Sequence, residues 1–340
     1  MTQSVYFVIL KPAKIERSAL ASVITKFREE IMLQTVLGSG GGIGIPLASE
    51  LKKYTSEIRL VSRNPKKIND SDELFPADFS DLKQIDRAIA GSEVVYVTVG
   101  FQYNLKVWQK TWPSFMQEVI NSCIRHNSRL VFFDNIYMYA KNSVPFMTES
   151  ASIDPPSKKG KVRQEVREMI MKEMENKRLT ALIARAADFY GPDCKNSPLT
   201  IMAADNLIKG KKAQVFGSPD YIHTYTYTPD AAKAVALLGN TTDAFNQEWH
   251  VPTTKERVTT LQWIEMIAKE LGTEPKVQKV SLFMINLLGL FVPIMREFPE
   301  MLYQYEQDYI FDSSKFEKRF GIVATPPEEG IKRLVESLKQ

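Results

Sequence analysis

Clustered cysteine and histidine are missing from this chain. Its 340 residues include 2 cysteines, Cys123 and Cys194, and 3 histidines, all far apart. That spacing frames neither a disulfide-stapled fold nor a metal centre, and it suits a reducing, cytoplasmic setting. Charge of one sign is also missing. The 44 Lys and Arg stand against 40 Asp and Glu, a net +4, and the basic residues are scattered. No nucleic-acid partner is expected from such a pattern. Long apolar runs are absent too. Val5–Leu10 is short and has no basic segment before it, unlike a secretory signal. Val280–Met295 is too short for an ordinary span and contains Asn286, Gly289 and Pro293, so stable membrane insertion is not expected. That second stretch reads as a buried helix with a break. The sharper alternatives are a lid over an apolar substrate and a membrane-contacting face.

From Gln34 onward, short apolar runs alternate with segments of helical period. The strand candidates are Thr35–Leu37, Ile58–Ser62, Leu74–Ala77, Val94–Val99, Leu130–Asp134 and Leu179–Arg185. Between the fourth and fifth, Phe115, Met116, Val119, Ile120, Cys123 and Ile124 form one helical stripe. This alternation predicts an α/β fold: a Rossmann-type, doubly wound parallel sheet with helices on both faces. After Tyr190 the rhythm loosens. Gly191–Pro198 reads as a loop, Leu199–Lys209 as a helix and Ala213–Phe216 as a strand. Thr228 reads as an N-cap with Pro229 at the first helical position. A smaller, mainly helical C-terminal lobe for substrate is expected. The dinucleotide-binding domain is assigned 32–190 plus about 221–252, and the substrate lobe about 191–220 plus 253–340. Residues 1–31 carry no clear period and precede Met32, which stands just before the first strand. They read as a poorly ordered extension or as sequence ahead of the natural start, which the intact mass of the native protein would decide.

Gly38-Ser39-Gly40-Gly41-Gly42-Ile43-Gly44 lies between a strand and a helix. The chain must turn sharply there and pass close to a pyrophosphate, which a helix N-terminus then holds. Gly38, Ser39, Gly41, Gly42, Ile43 and Gly44 are therefore assigned to a dinucleotide. An NAD site usually ends its second strand in an acid. Here that position reads Ser62-Arg63-Asn64-Pro65, with Lys66 and Lys67 following. Ser62 and Arg63 suit a 2′-phosphate, so NADP(H) is favoured over NAD(H). Asp78 is placed at the adenine, and Thr98, Val99 and Gly100 near the nicotinamide half.

These residues resemble the short-chain dehydrogenase/reductase superfamily, in its extended NAD(P)-dependent epimerase/dehydratase branch, over about residues 32–340. GSGGGIG is similar to the glycine motif. Leu130–Ala140, LVFFDNIYMYA, looks like the fifth strand and the turn after it. Arg185–Pro192, RAADFYGP, and His223–Ala232, HTYTYTPDAA, look like two later segments of that branch. The resemblance implies a catalytic Ser/Thr followed by Tyr-x-x-x-Lys, in which tyrosinate is the acid/base. Aligned on Tyr139, the chain departs from this set. Asn135 holds the Ser/Thr position, Lys159 the tyrosine position and Arg163 the lysine position. So SKKGKVR, Ser157–Arg163, opens the helix that normally carries the pair, and the pair is replaced, as in atypical members.

Four readings of that stretch stand. Lys159 is the acid/base, its pKa lowered by Arg163 and a cationic nicotinamide. Tyr137 or Tyr190 supplies a phenol instead. The site binds cofactor without chemistry. The stretch is only a solvated basic helix start. Tyr103, Tyr190 and His223 are candidates to face substrate. Trp108 and Trp112 flank a loop after the fourth strand. The leading function is NAD(P)(H)-dependent epimerase, dehydratase or reductase chemistry on a carbonyl or alcohol of a small molecule, such as a sugar derivative. The alternative is a non-catalytic NADP(H) sensor or scaffold. A homodimer is an open expectation.

Overall fold

The computed structural model describes residues 32–192 and 194–339; the expectations for residues 1–31 lie outside it. The chain runs β1 (Gln34–Leu37), α1 (Gly44–Leu51), β2 (Ile58–Ser62), β3 (Glu73–Pro76), α2 (Leu82–Ile89), β4 (Val94–Val97) and α3 (Leu105–His126). Then come β5 (Arg129–Asp134), α4 (Lys158–Glu175), β6 (Ala181–Arg185) and β7 (Asp188–Tyr190). A π-helical turn, Leu199–Ala204, leads into α5 (Asp205–Ile208), β8 (Ala213–Val215), β9 (Tyr225–Tyr227), α6 (Thr228–Gly239) and β10 (Glu248–His250). The chain closes with α7 (Thr260–Leu271), β11 (Val277–Lys279), α8 (Leu282–Gly289), α9 (Ser314–Phe320) and α10 (Pro327–Leu338).

Seven strands form one sheet in the order β10-β6-β5-β4-β1-β2-β3, with every pairing parallel. The inner strands β1, β4 and β6 are buried along their whole length, whereas β3 at the edge is mostly exposed. Only a sheet covered on both faces needs such continuous apolar runs. Successive residues point to opposite sides. Val36 joins a core with α1 and α6, while its neighbour Leu37 joins a second core with α2, α3 and α4. A third core lies outside the sheet, where Tyr190, Leu207, Trp263, Ile267 and Leu334 gather from β7, α5, α7 and α10.

The helices start and stop for local reasons. Asn104 caps α3 by accepting from the Val107 amide at 3.1 Å, and Asn127 ends that helix in the left-handed conformation at φ 53°. Trp108 and Trp112 lie inside α3, both buried, so they flank no loop. Tyr227, not Thr228, is the N-cap of α6 and Thr228 is its first residue. The stretch 280–295 is not a buried helix. It forms α8 and a short 3-10 turn, Pro293–Glu297, with much of its apolar surface in water.

A charged network ties the carboxyl side of the sheet together. Asp134, at the end of β5, is paired with Arg163 of α4 and faces Arg185 of β6 at 3.5 Å. Arg185 meets Glu248 of β10 at 2.8 Å, and Glu248 also pairs with Arg167 of α4. Burial opposes the charge on Arg185, yet Tyr139, Asp134 and Glu248 hold its pKa above the ordinary value. Beside it, burial and Arg185 push His250 well below the usual imidazole range. The ring is therefore neutral. Its Nδ1 donates to the Asp312 carbonyl at 2.8 Å, and its Nε2 accepts from the Tyr139 hydroxyl at 2.7 Å.

A depressed histidine makes the unfolded chain the better proton acceptor. Stability should be constant above neutrality and fall as pH drops below the unfolded value of about 6.5, by up to about 1.4 kcal/mol per pH unit. Thermal melts between pH 7.5 and 5.5 should show this fall, and His250→Gln should flatten it. An equal slope in both proteins would place its source elsewhere.

Candidate functional site

The glycine turn begins where β1 ends. Gly38 has φ +98°, and a Cβ there would lie 2.7 Å from the Val99 amide nitrogen at the end of β4. A Cβ on Gly44 would strike the Gly38 carbonyl. These two positions hold the turn tight by close backbone approach. Gly41 differs, because a Cβ there would meet only the Gly38 carbonyl, at 3.7 Å, with open space beyond. Thr98 braces the turn, its hydroxyl donating to Leu37 and Gly38 carbonyls at 3.2 and 3.3 Å. Val99 is half-buried beside it and Gly100 is exposed. No side chain caps α1 at Ile43, and Gly42 completes the turn before it. The Ser39 hydroxyl is buried without a hydrogen-bond partner. An uncapped helix N-terminus beside an unsatisfied hydroxyl fits a bound phosphate.

At the end of β2, Ser62 is half-buried and Arg63 exposed. Along the chain that turn is free of acid, but across the sheet it is not. Asp78 is held below the usual carboxylate range by the Ser80 backbone and side chain, with further help from the attraction of Arg63. The basic turn is thus attracted by Asp78, the residue that the sequence places at the adenine.

The helix α4 starts at Lys158, capped by Ser157, whose Oγ accepts from the Gly160 amide at 3.0 Å. Gly160 is required there, since a Cβ would collide with the Tyr137 carbonyl. Lys158 and Lys161 are exposed, while Lys159 and Arg163 share the buried face one turn apart. The two cations are not set against each other. Arg163 is turned onto Asp134, with its guanidinium 4.3 Å from the Trp112 ring centroid and 4.9 Å from that of Phe132. The Arg163 side chain is thus committed to the sheet.

Lys159 is fully buried and meets two carboxylates, Glu297 at 2.5 Å and Glu300 at 2.8 Å. Its ammonium also lies 4.8 Å from the Tyr103 ring centroid. Glu297 accepts from the Leu105 amide at 2.9 Å, at the start of α3, and Glu300 from the Lys158 amide at 2.8 Å, at the start of α4. Each carboxylate therefore sits on a helix N-terminus, where negative charge is favoured. Lys159 is thus paired with Glu297 and Glu300, and Arg163 with Asp134. Nothing in the local sequence around 159 signals partners some 140 residues downstream.

Tyr137 and Tyr103 hydrogen-bond to one another, and burial raises both phenols above their ordinary range. Tyr137 stacks on Trp108 with centroids 6.2 Å apart. Asn135 spends its carboxamide oxygen on the Tyr137 amide at 3.0 Å. So Lys159, Tyr137, Tyr103 and Asn135 come together at the carboxyl end of β5. Tyr190 and His223, the other two expected substrate contacts, are buried apart from this cluster. Tyr190 packs on Trp263 at 5.0 Å, with its hydroxyl against Gly330 of α10. His223 is 3% exposed, bonded to Asp188 at 2.9 Å and stacked between Tyr305 and Tyr309. Asp188 was not singled out by its sequence, although it lies within RAADFYGP.

A parallel sheet of seven strands, a glycine turn that opens onto an uncapped helix, and a residue cluster at the end of β5 together define a dinucleotide-binding α/β protein. The chain belongs to the NAD dependent epimerase/dehydratase family, which matches residues 34–251. No curated protein matches it. Its fold is similar to that of UDP-N-acetylglucosamine 4-epimerase from Methanobrevibacter ruminantium M1, at 15% identity and TM-score 0.75, over 91% of this chain and 99% of that one. A dTDP-glucose 4,6-dehydratase from Streptomyces venezuelae is similar at 16% identity and TM-score 0.75, over 91% and 97%. UDP-glucose 4-epimerase from Thermotoga maritima is similar at 18% identity and TM-score 0.71, over 91% and 99%.

Gly41→Val should abolish dinucleotide binding and leave the melting temperature within about 2 °C, because its side chain extends into open space. Gly44→Ala should instead lower stability. Normal binding by Gly41→Val, followed by nucleotide fluorescence, would reduce the loop to a simple turn.

Proposed function

We propose that this chain is an NADP(H)-dependent enzyme acting on a carbonyl or alcohol carbon of a sugar derivative, with Lys159 in the place of the family's tyrosine. The observation that carries the reading is the full burial of Lys159 beside Tyr103, on the helix that opens next to Asn135 and Tyr137. Solved structures of similar fold hold UDP-glucose with NAD, and UDP-glucuronic acid with NAD, which supports the substrate class. The nicotinamide supplies the hydride acceptor and donor when bound.

The chain's own residues do the rest. A buried ammonium stabilises negative charge developing on a substrate oxygen and can give that oxygen a proton. Glu297 and Glu300 hold Lys159 in place, and a substrate hydroxyl that displaces one of them would face its Nζ directly. Tyr137 orients its phenol toward Tyr103 and serves as the second proton carrier. Asn135 fixes the turn. Arg163 acts as a positioning residue that locks α4 to β5 through Asp134. Ser39 and the glycine turn hold the pyrophosphate, Ser62 and Arg63 the 2′-phosphate, and Asp78 the adenine side.

The occupation of Lys159 by two carboxylates also favours a second reading, an NADP(H)-binding sensor without turnover. Screening of nucleotide sugars for NADPH formation or consumption separates the two. Lys159→Met should abolish turnover while NADPH binding is kept. Full activity in that variant would move the proton carrier to Tyr137. NADPH should bind at least tenfold more tightly than NADH, about 1.4 kcal/mol. Arg63→Asp should erase that preference and Asp78→Asn should widen it, as read by calorimetry. Equal affinities in the unaltered protein would reject the 2′-phosphate assignment.

A further inference from the structure

The stretch Val280–Met295 leaves much of its apolar surface in water, and the fold does not account for it. Among the described residues, half of the large apolar side chains that are exposed fall between Leu282 and Ile294. The most exposed are Phe283 at 75%, Leu290 at 66% and Phe291 at 80%. Elsewhere such residues occur mainly singly, which is ordinary. Here they are consecutive around the turn that follows α8, and α8 is apolar on nearly every side, with only Ile285 and Gly289 buried. The turn is built rather than frayed. Arg296 folds back, its guanidinium donating to the Gly289 and Leu290 carbonyls.

Charge decides the occupant. From Pro275 to Arg296 there is no acidic residue, while Lys276, Lys279 and Arg296 are present. All three are exposed. Directly after the hairpin, Glu297 binds the start of α3 and Glu300 the start of α4. Exposed Lys158 lies at the second of these contacts, exposed Lys106 next to the first, and exposed Lys161 one turn further along α4. Lys159 pairs with both acids and offsets one of their two charges. The result is an apolar tip with a basic rim.

We propose that this hairpin docks the protein reversibly onto an anionic lipid surface, with Phe283, Leu290 and Phe291 entering the headgroup boundary and the lysines resting on lipid charge. No helix among the described residues is long and apolar enough to cross a membrane, so the contact is interfacial. This gives Lys158 and Lys161 of the SKKGKVR stretch a role that the crevice does not.

The full chain should sediment with phosphatidylcholine vesicles containing phosphatidylserine and much less with phosphatidylcholine alone. High salt should release it. The double variant Phe283→Ser, Phe291→Ser should lower binding at least tenfold, and Lys158→Ser with Lys161→Ser several-fold. All four side chains are exposed, so melting temperatures should stay unchanged. Failure to sediment with the anionic vesicles, or unaltered binding by the phenylalanine variant, overturns the proposal. So does a dimer in light scattering that this variant converts to monomer, since a second copy would then cover the tip.

Discussion

The structure depends on one buried ion pair, Asp134 with Arg163. It joins the carboxyl end of β5 to the second turn of α4, and through Arg185 and Glu248 it reaches β6 and β10. Both partners are almost wholly shielded from water. A pair of this kind adds little net stability, because desolvation offsets attraction, but removing one partner leaves an uncompensated charge and costs about 3–5 kcal/mol. Its effect is therefore on geometry. With Arg163 turned onto Asp134 and covered by Trp112 and Phe132, α4 has one rotation about its axis. That rotation puts Lys159 into the crevice and Lys158 and Lys161 into water.

Lys159 is the second cation on that face, and its partners come from a distant part of the chain. Glu297 and Glu300 each end at a helix N-terminus, so the dipoles of α3 and α4 and the ammonium together hold two carboxylates. The C-terminal lobe is thereby fastened to the dinucleotide domain at the candidate site itself. Residues just before these acids form the apolar hairpin.

Legibility followed the range of the interactions. The strands and the stripe at Phe115–Cys123 were legible because burial on both faces of a parallel sheet demands unbroken apolar runs. The glycine turn was legible because backbone crowding at Gly38 and Gly44 permits no side chain. The exposed Lys158 and Lys161 against buried Lys159 and Arg163 follow from helical spacing alone. The contacts of Tyr190 and His223 were not legible for the opposite reason. Their neighbours in sequence resemble a substrate wall, while their contacts come from Gly330, Tyr305 and Tyr309. The apolar stretch at 280–295 misled as well, since apolar composition carries no statement about whether a core is available to receive it.

The sequence by itself determined a doubly wound sheet and a tight glycine turn between β1 and α1, because each is set by local backbone sterics or by period. Only the tertiary structure decided what the substituted residues touch. Asp134 claims Arg163, Glu297 and Glu300 claim Lys159, and Asp78 approaches Arg63 from across the sheet. Charge pairing acts through space at a few ångströms, and which side chains come that close is set by the packing of elements far apart in the chain.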